Sequence, residues 1–436
     1  MKFYNREAEL KILETTQNAS LNSSKMTFIV GRRRTGKTRL ISEFCSNKSF
    51  IYLFVAKKDE KLLCREFTEE IKAKINIEIY GEINSFKNIF KLLMSYSKDN
   101  PITLVIDEFQ EFSNINPSIY SDMQNIWDTN KDTTKLNLIL CGSVFTMMKK
   151  IFENTNEPLF GRANEKINLK PFNVNVIKQI LYDYSNNYTF KDLLVFYIFT
   201  GGVAKYIETF VEKNALTLES ILDLIFSENS LFIDEGKNIL IEEFGKEYTT
   251  YFSILSLIAS SKTSRSDIES ILEKNIGGYI ERLEKEYNII EKVKPIFAKP
   301  ESRNQKYFIK DNFLNFWFRF IYKHRSAIEI GNFEYIKSIV IRDFDSFSGK
   351  FLENYFKEKL ALSGKYSEIG NYWDKNSQNE IDIIAVNNLE KKALIAEVKI
   401  NKEKINLKIL KEKASNLKNL LSKLDIEYCA YSLEDM

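Results

Sequence analysis

Gly31-Arg32-Arg33-Arg34-Thr35-Gly36-Lys37-Thr38 follows an apolar run (Met26, Phe28, Ile29, Val30) and precedes a segment with helical periodicity. Glycines at both ends of a short turn, then lysine and threonine, are the chemistry of a phosphate cradle. The glycines let the backbone fold tightly and aim successive N–H groups at a β-phosphate. Lys37 reaches the β- and γ-oxygens, and the Thr38 hydroxyl ligates Mg²⁺. The whole loop, Gly31 through Thr38 with Arg32, Arg33, Arg34, Thr35 and Gly36, is therefore expected to hold a nucleoside triphosphate with Mg²⁺.

A second stretch supplies the partner chemistry. Ile102, Leu104, Val105 and Ile106 read as a buried strand that ends in Asp107-Glu108. This is the pattern of a Walker B strand, in which Asp107 holds Mg²⁺ and Glu108 polarises the attacking water. Around these motifs the first 175 residues alternate apolar strands (near 26–30, 50–56, 102–107, 136–141 and 166–169) with helical segments. Such alternation predicts a parallel sheet with helices on both faces. Ligands sit beyond the carboxyl ends of such strands, where the loop, Asp107-Glu108 and Cys141-Gly142-Ser143 all fall.

Composition narrows the alternatives. A chain of 436 residues, 44% apolar, has material for about three domains. Cys45, Cys64, Cys141 and Cys429 lack C-x-x-C spacing, so neither a disulfide framework nor a zinc site is expected, and a reducing compartment fits. With His324 the single histidine, multi-histidine metal centres are excluded and Ser-His or Cys-His catalysis is disfavoured. Chemistry must rest on carboxylates, lysines and metal. The charge balance, 63 basic against 60 acidic residues, is too even to announce a nucleic-acid binder by itself. No long uncharged apolar stretch occurs and the amino terminus has no hydrophobic signal region, so a cytoplasmic location without membrane contact is expected.

Residues 176–240 read as helical, with a turn at Thr200-Gly201-Gly202. From about 245 to 310 the pattern becomes three helices (Tyr251 to Ala259, Ser266 to Leu272, Tyr279 to Tyr287) and a strand pair (Ile289 to Val293, Tyr307 to Ile309). That is the plan of a winged helix. Arg282, Lys285, Lys292, Lys294, Lys299, Arg303 and Lys306 could form a phosphate-contacting face for DNA. The aromatic segment Phe313 to Phe320 reads as a buried helix, not as a base-stacking platform.

Near the carboxyl end, Asn379 to Val386 and Ala393 to Lys399 flank a polar turn and should pair as a hairpin. Alternation puts Glu397 and Lys399 on one face, with Asp382 able to lie opposite them. Asp382 and Glu397 would offer oxygens to Mg²⁺ or Mn²⁺, and Lys399 would orient or activate a hydrolytic water. Glu353, on a preceding helix, stands where a further metal-binding carboxylate would sit. Trp373 reads as core.

On these residues the chain resembles the archaeal-type AAA+ ATPases near the STAND class, fused to a winged helix and a restriction-endonuclease-like domain. The matching elements are Phe3-Tyr4-Asn5-Arg6-Glu7, the Walker A and B segments, Cys141-Gly142-Ser143, Pro158-Leu159-Phe160-Gly161-Arg162, Leu169-Lys170-Pro171-Phe172 and Gly201-Gly202-Val203-Ala204-Lys205-Tyr206. The resemblance implies that Arg6 lies by the adenine, that Ser143 senses the γ-phosphate, and that Arg162 is an arginine finger completing a neighbouring subunit's site in a homo-oligomer. Ala204 stands where that family usually has proline. The carboxyl-terminal part resembles the PD-(D/E)xK nucleases, with Asp382, Glu397 and Lys399 on the motif.

The expected fold is α/β: a P-loop NTPase parallel sheet (1–175) with a helical lid (176–240), a winged helix (241–325) and a small α/β restriction-endonuclease-like domain (326–436). The expected function is an Mg²⁺-dependent ATPase whose nucleotide state controls a DNA-binding winged helix and a metal-dependent nuclease. The rivals are an ATP-driven signalling switch or a transcriptional regulator whose last domain does not cleave.

Overall fold

The computed structural model describes residues 1–244, 248–374 and 379–436. Residues 245–247 of the expected winged helix and 375–378 of the expected last domain lie outside the described residues. The protein is a mixed α/β chain that divides into two compact units: Asn5–Pro171, and Met1–Tyr4 with Phe172–Met436.

In the first unit β1 (Lys25–Val30), β2 (Ile51–Phe54), β3 (Ile102–Asp107), β4 (Leu136–Gly142) and β5 (Glu165–Asn168) form a five-stranded sheet in the order β2-β3-β4-β1-β5. Every pairing is parallel. Both faces of β3 and β4 are buried, which explains why these strands read as continuous apolar runs without alternation. Helices such as Glu60–Lys74, Phe86–Tyr96 and Ser118–Asn130 cover them with Phe67, Phe86, Phe90, Met123 and Trp127. Because the strands are parallel, their carboxyl ends share one edge. Inserting β4 between β1 and β3 brings Ser143 between the ends that carry the glycine-flanked loop and Asp107.

The second unit begins with helices, among them Val174–Tyr184, Phe190–Thr200 and Ala204–Glu212. Gly201 and Gly202, at φ 52° and 73°, make the turn expected there. A side chain on Gly202 would collide with the Phe172 backbone. The helices Tyr248–Ala259, Arg265–Leu272 and Gly277–Glu281 follow, the last continuing as a wider helical turn, Arg282–Glu286. They lead into the antiparallel pair β6 (Ile290–Val293) and β7 (Lys306–Ile309). The aromatic segment is buried as expected: Phe313, Phe316, Trp317, Phe318 and Phe320 are in the core, and Trp317 donates its indole N–H to the Ile233 carbonyl.

A 30-residue helix, Phe333–Leu362, then precedes a separate four-stranded sheet. It comprises β8 (Glu368–Trp373), β9 (Glu380–Asn387), β10 (Lys392–Val398) and β11 (Asp425–Tyr431), in the order β11-β10-β9-β8. The β9–β10 hairpin is antiparallel, and β11 runs parallel to β10. Among the described residues no helix is long and apolar enough to cross a membrane. The four cysteines are free thiols.

Candidate functional site

In the first unit the chain leaves β1 at Val30 and turns through Gly31–Gly36 into the helix Lys37–Cys45. Two positions in this turn require glycine. A side-chain carbon on Gly31 would stand 2.7 Å from the Leu169 carbonyl oxygen, and Gly36 holds φ 95°, where Cβ is disfavoured. The Thr35 hydroxyl donates to the Arg32 carbonyl at 2.8 Å. Lys37 is 8% exposed, and its ammonium donates to the carbonyls of Gly31 (2.6 Å) and Arg32 (3.0 Å). Burial lowers the pKa of this ammonium, and the negative charge of Glu108 and Asp107 opposes that shift. Thr38 is exposed on the first helical turn, Arg33 is exposed, and Arg32 and Arg34 are half-buried. The first N–H groups of a helix have no intrahelical acceptor and carry its positive end, so the loop presents donors and charge to an anion.

Asp107 ends β3 and is buried. Its Oδ2 accepts from the Tyr52 hydroxyl at 2.6 Å, and its Oδ1 accepts the Glu108 N–H at 2.9 Å. Glu108 adopts φ 52°, a left-handed conformation that costs a non-glycine residue about 1–3 kcal/mol and persists only when neighbours enforce it. Its Oε2 accepts from Ser143 Oγ at 2.7 Å and from the Gln110 amide. Gln110 is buried, and its Oε1 has no hydrogen-bond partner. Gly142 must lack a side chain because Gln110 and Met148 fill that space. Lys37, Asp107, Glu108 and Ser143 thus converge.

Two residues are placed otherwise. Arg6 is buried, donating to the Lys170 carbonyl (2.8 Å) and to Glu9 (3.2 Å), and burial lowers its pKa. Arg162, with a side chain 24% exposed, donates Nε and Nη2 to Asp128 Oδ2 at 3.0 and 2.8 Å within its own chain.

In the second unit Asp382 lies near the start of β9, and Glu397 lies near the end of β10. The antiparallel register, Ala396 opposite Ile383, carries them to facing positions. Asp382 Oδ2 accepts from the Val398 N–H (2.8 Å) and the Lys399 ammonium (3.1 Å). That ammonium is 3.5 Å from Glu397 Oε1. Burial works to lower the Lys399 pKa, but Asp382 and Glu397 outweigh it and hold the ammonium above its ordinary value. Glu397 is 9% exposed and its Oε2 is buried without a hydrogen-bond partner. An orphaned buried acceptor costs about 1–3 kcal/mol, more when charged, and marks a place where a cation fits. Beside the Asp382–Glu397 pair, on the Lys399 side, a cleft of about 420 Å³ is lined by Lys350, Glu353, Lys399, Asn401 and Lys404. Glu353 Oε2 accepts from Lys350 (2.6 Å) and from the Asn371 amide (3.2 Å), and burial raises its pKa. Among the described residues no three His, Cys, Asp or Glu side chains group closely enough to hold a metal ion. Asp382 and Glu397 are brought together on Lys399, and Glu353 is bonded to Lys350 and Asn371.

Tyr52, Gln110 and Asn371 were not legible as site residues. Gln110, two positions beyond Glu108, could have been found by asking what fixes that carboxylate; Tyr52 and Asn371 carry no sequence signal.

A parallel sheet with a glycine-flanked cradle, a buried lysine and an acidic pair at the end of the next strand but one defines a P-loop ATPase. A family model described as an ATPase domain predominantly from Archaea matches residues 3–210, and one described as archaeal and bacterial proteins of unknown function matches 317–414. The uncharacterized protein MJECL04 of Methanocaldococcus jannaschii is 31% identical over 409 residues, which span 91% of this chain and 87% of its own. The chain belongs to this family of archaeal-type ATPases, which bind and hydrolyse ATP. Among solved structures, the Walker-type ATPase PABY2304 of Pyrococcus abyssi shares the fold, with a TM-score of 0.55 at 19% identity over 72% of this chain and 96% of its own.

Proposed function

We propose that this ATPase couples its nucleotide cycle to a metal-dependent nuclease built on Asp382, Glu397 and Lys399, acting on DNA. In the first unit the loop N–H groups and Lys37 hold the β- and γ-phosphates, Arg6 lies by the adenine, and Thr38 and Asp107 hold Mg²⁺. When bound, the ion neutralises charge on the phosphates. Glu108, fixed by Ser143 and Gln110, orients the attacking water, and Ser143 reports the γ-phosphate to it. Arg162 completes a neighbouring subunit's site, which requires it to exchange Asp128 for phosphate.

In the second unit Asp382 and Glu397 hold Mg²⁺ or Mn²⁺, and Glu353, in the adjoining cleft, adds negative charge. The cation would supply Lewis-acid stabilisation of a phosphodiester oxygen. Lys399, held between the carboxylates, orients the water. The observation that carries this reading is the buried, unpartnered Oε2 of Glu397 beside Asp382 and Lys399.

Two measurements test it. Lys37→Ala should reduce ATP turnover at least 100-fold, and undiminished turnover would refute the cradle assignment. Purified protein with Mn²⁺ or Mg²⁺ should cut plasmid or single-stranded DNA, and Asp382→Ala should abolish cutting; no cleavage under any metal or nucleotide condition would sink the nuclease half.

A second reading, a non-cleaving switch whose winged-helix module grips protein, draws on how the basic residues there are spent. Lys285 pairs with Glu281 (2.7 Å), Lys292 with Glu284 (3.2 Å) and Lys306 with Glu380 (3.1 Å). Arg282 turns inward to the Tyr251 hydroxyl (3.1 Å). A regulator acting through this module would instead bind DNA sequence-selectively even after Lys399 is replaced.

A further inference from the structure

We propose that Asn371 is a positioning residue for the Asp382–Glu397 metal site, and that the loop joining β6 and β7 clamps it in place. The proposal rests on the metal-site reading above. The register of β8 against β9 changes between two pairs: Gly370 faces Ile384, but Tyr372 faces Ile381. One residue of β8, Asn371, is therefore opposed by two of β9, Asp382 and Ile383. This is a β-bulge, a device that re-aims side chains and leaves a ladder group unpaired. Asn371 repairs the ladder with its side chain, its Nδ2 donating to the Asp382 carbonyl at 2.5 Å.

The rest of that amide is oriented by charge. Glu353 and Lys357, four residues apart on one helix, face the same side. Asn371 Nδ2 donates to Glu353 at 3.2 Å, and its Oδ1 accepts from the Lys357 ammonium at 3.0 Å. A flipped amide would set donor against ammonium and acceptor against carboxylate, so one orientation is fixed. Asn371 is 5% exposed. It thus ties the backbone of one candidate ligand, Asp382, to the side chain of Glu353.

The outer side of Asn371 is held by the hairpin. Its carbonyl accepts the Ile296 N–H at 2.8 Å. Two residues on, Trp373 donates its indole N–H to Asn304 Oδ1 at 2.8 Å, and Lys306 lies 4.7 Å from the centre of the Trp373 ring. Gly370 permits the approach, because a side-chain carbon there would stand 3.2 Å from Ile296 Cβ. In a winged helix this loop is the wing; here it is bound to β8, and its role is to brace the site.

The test is Mn²⁺ binding to the full chain, read by calorimetry and by the electron paramagnetic resonance of the bound ion. Wild type should bind, and Asp382→Asn should lose the ion; if either fails, the metal-site reading falls and takes this proposal with it. With that established, Asn371→Ala should weaken binding about 10-fold or more, the scale of outer-shell partners, and should alter the spectrum of the ion that remains bound. An unaltered affinity or an unaltered bound spectrum overturns the positioning role while leaving the metal site standing. Should Asn371→Ala fail to fold by circular dichroism, Asn304→Ala, which removes the loop's bond to Trp373 and leaves Asn371 intact, decides: about 3-fold weaker binding supports the clamp, and wild-type binding overturns it.

Discussion

Lys357 shows how one side chain ties stability to pH. Burial, reinforced by Lys350, pushes its pKa down to about 8, against about 10.4 for an ordinary lysine. Between those values the unfolded chain binds the proton and the folded chain releases it, so this group makes stability rise with pH across that window and contributes a constant cost below it. Buried thiols with raised pKa, such as Cys64, act in the opposite sense at high pH. Comparison with Lys357→Met isolates the lysine. The stability of wild type relative to that variant should increase from about pH 8 to about pH 10, measured by urea unfolding through Trp317 and Trp373 emission with Trp127 replaced by Phe in both proteins. A difference that is flat with pH would contradict the account. At the same scale, Gly31 and Gly36 were legible because their backbone geometry excludes other residues, whereas Tyr52 and Gln110 act only through distant partners.

Among the elements, β1, β3 and β4 were readable from the chain because strands buried on both faces must be apolar throughout, and their ends carry the chemistry. The β9–β10 hairpin was readable for a different reason: two apolar segments flank a polar turn, period-two alternation puts Glu397 and Lys399 on one face with Asp382 able to lie opposite, and the observed antiparallel register brings Asp382 alongside them. The three helices and hairpin between Tyr248 and Ile309 also occur in the expected order. The wider helical turn at Arg282–Glu286 and the bulge at Asp382–Ile383 were not legible. A bulge is a mismatch between two strands, so neither strand alone encodes it. The pairing of Lys285 and Lys292 with glutamates escaped for a similar reason, since a count of basic residues does not say which acids stand beside them.

For the molecule as a whole, Arg162 poses the question of how many copies act together. Its salt bridge to Asp128 is half exposed and worth about 1 kcal/mol or less, so a phosphate could displace it. If Arg162 serves a neighbour, neither Arg162→Ala nor Lys37→Ala protein should hydrolyse ATP efficiently alone. Mixing the two should restore part of the turnover, because some junctions then join an intact cradle to an intact arginine. Absence of any recovery on mixing would assign Arg162 to its own subunit. The loop that reaches β8 has one more consequence for the whole chain. β8 is the last strand of its sheet, and a bare last strand is a template on which identical molecules can stack by main-chain pairing. By occupying the Asn371 carbonyl, the β6–β7 loop withdraws that template. Severing the chain between the hairpin and the final sheet would hand it back, leaving a fragment inclined to polymerise instead of staying dispersed.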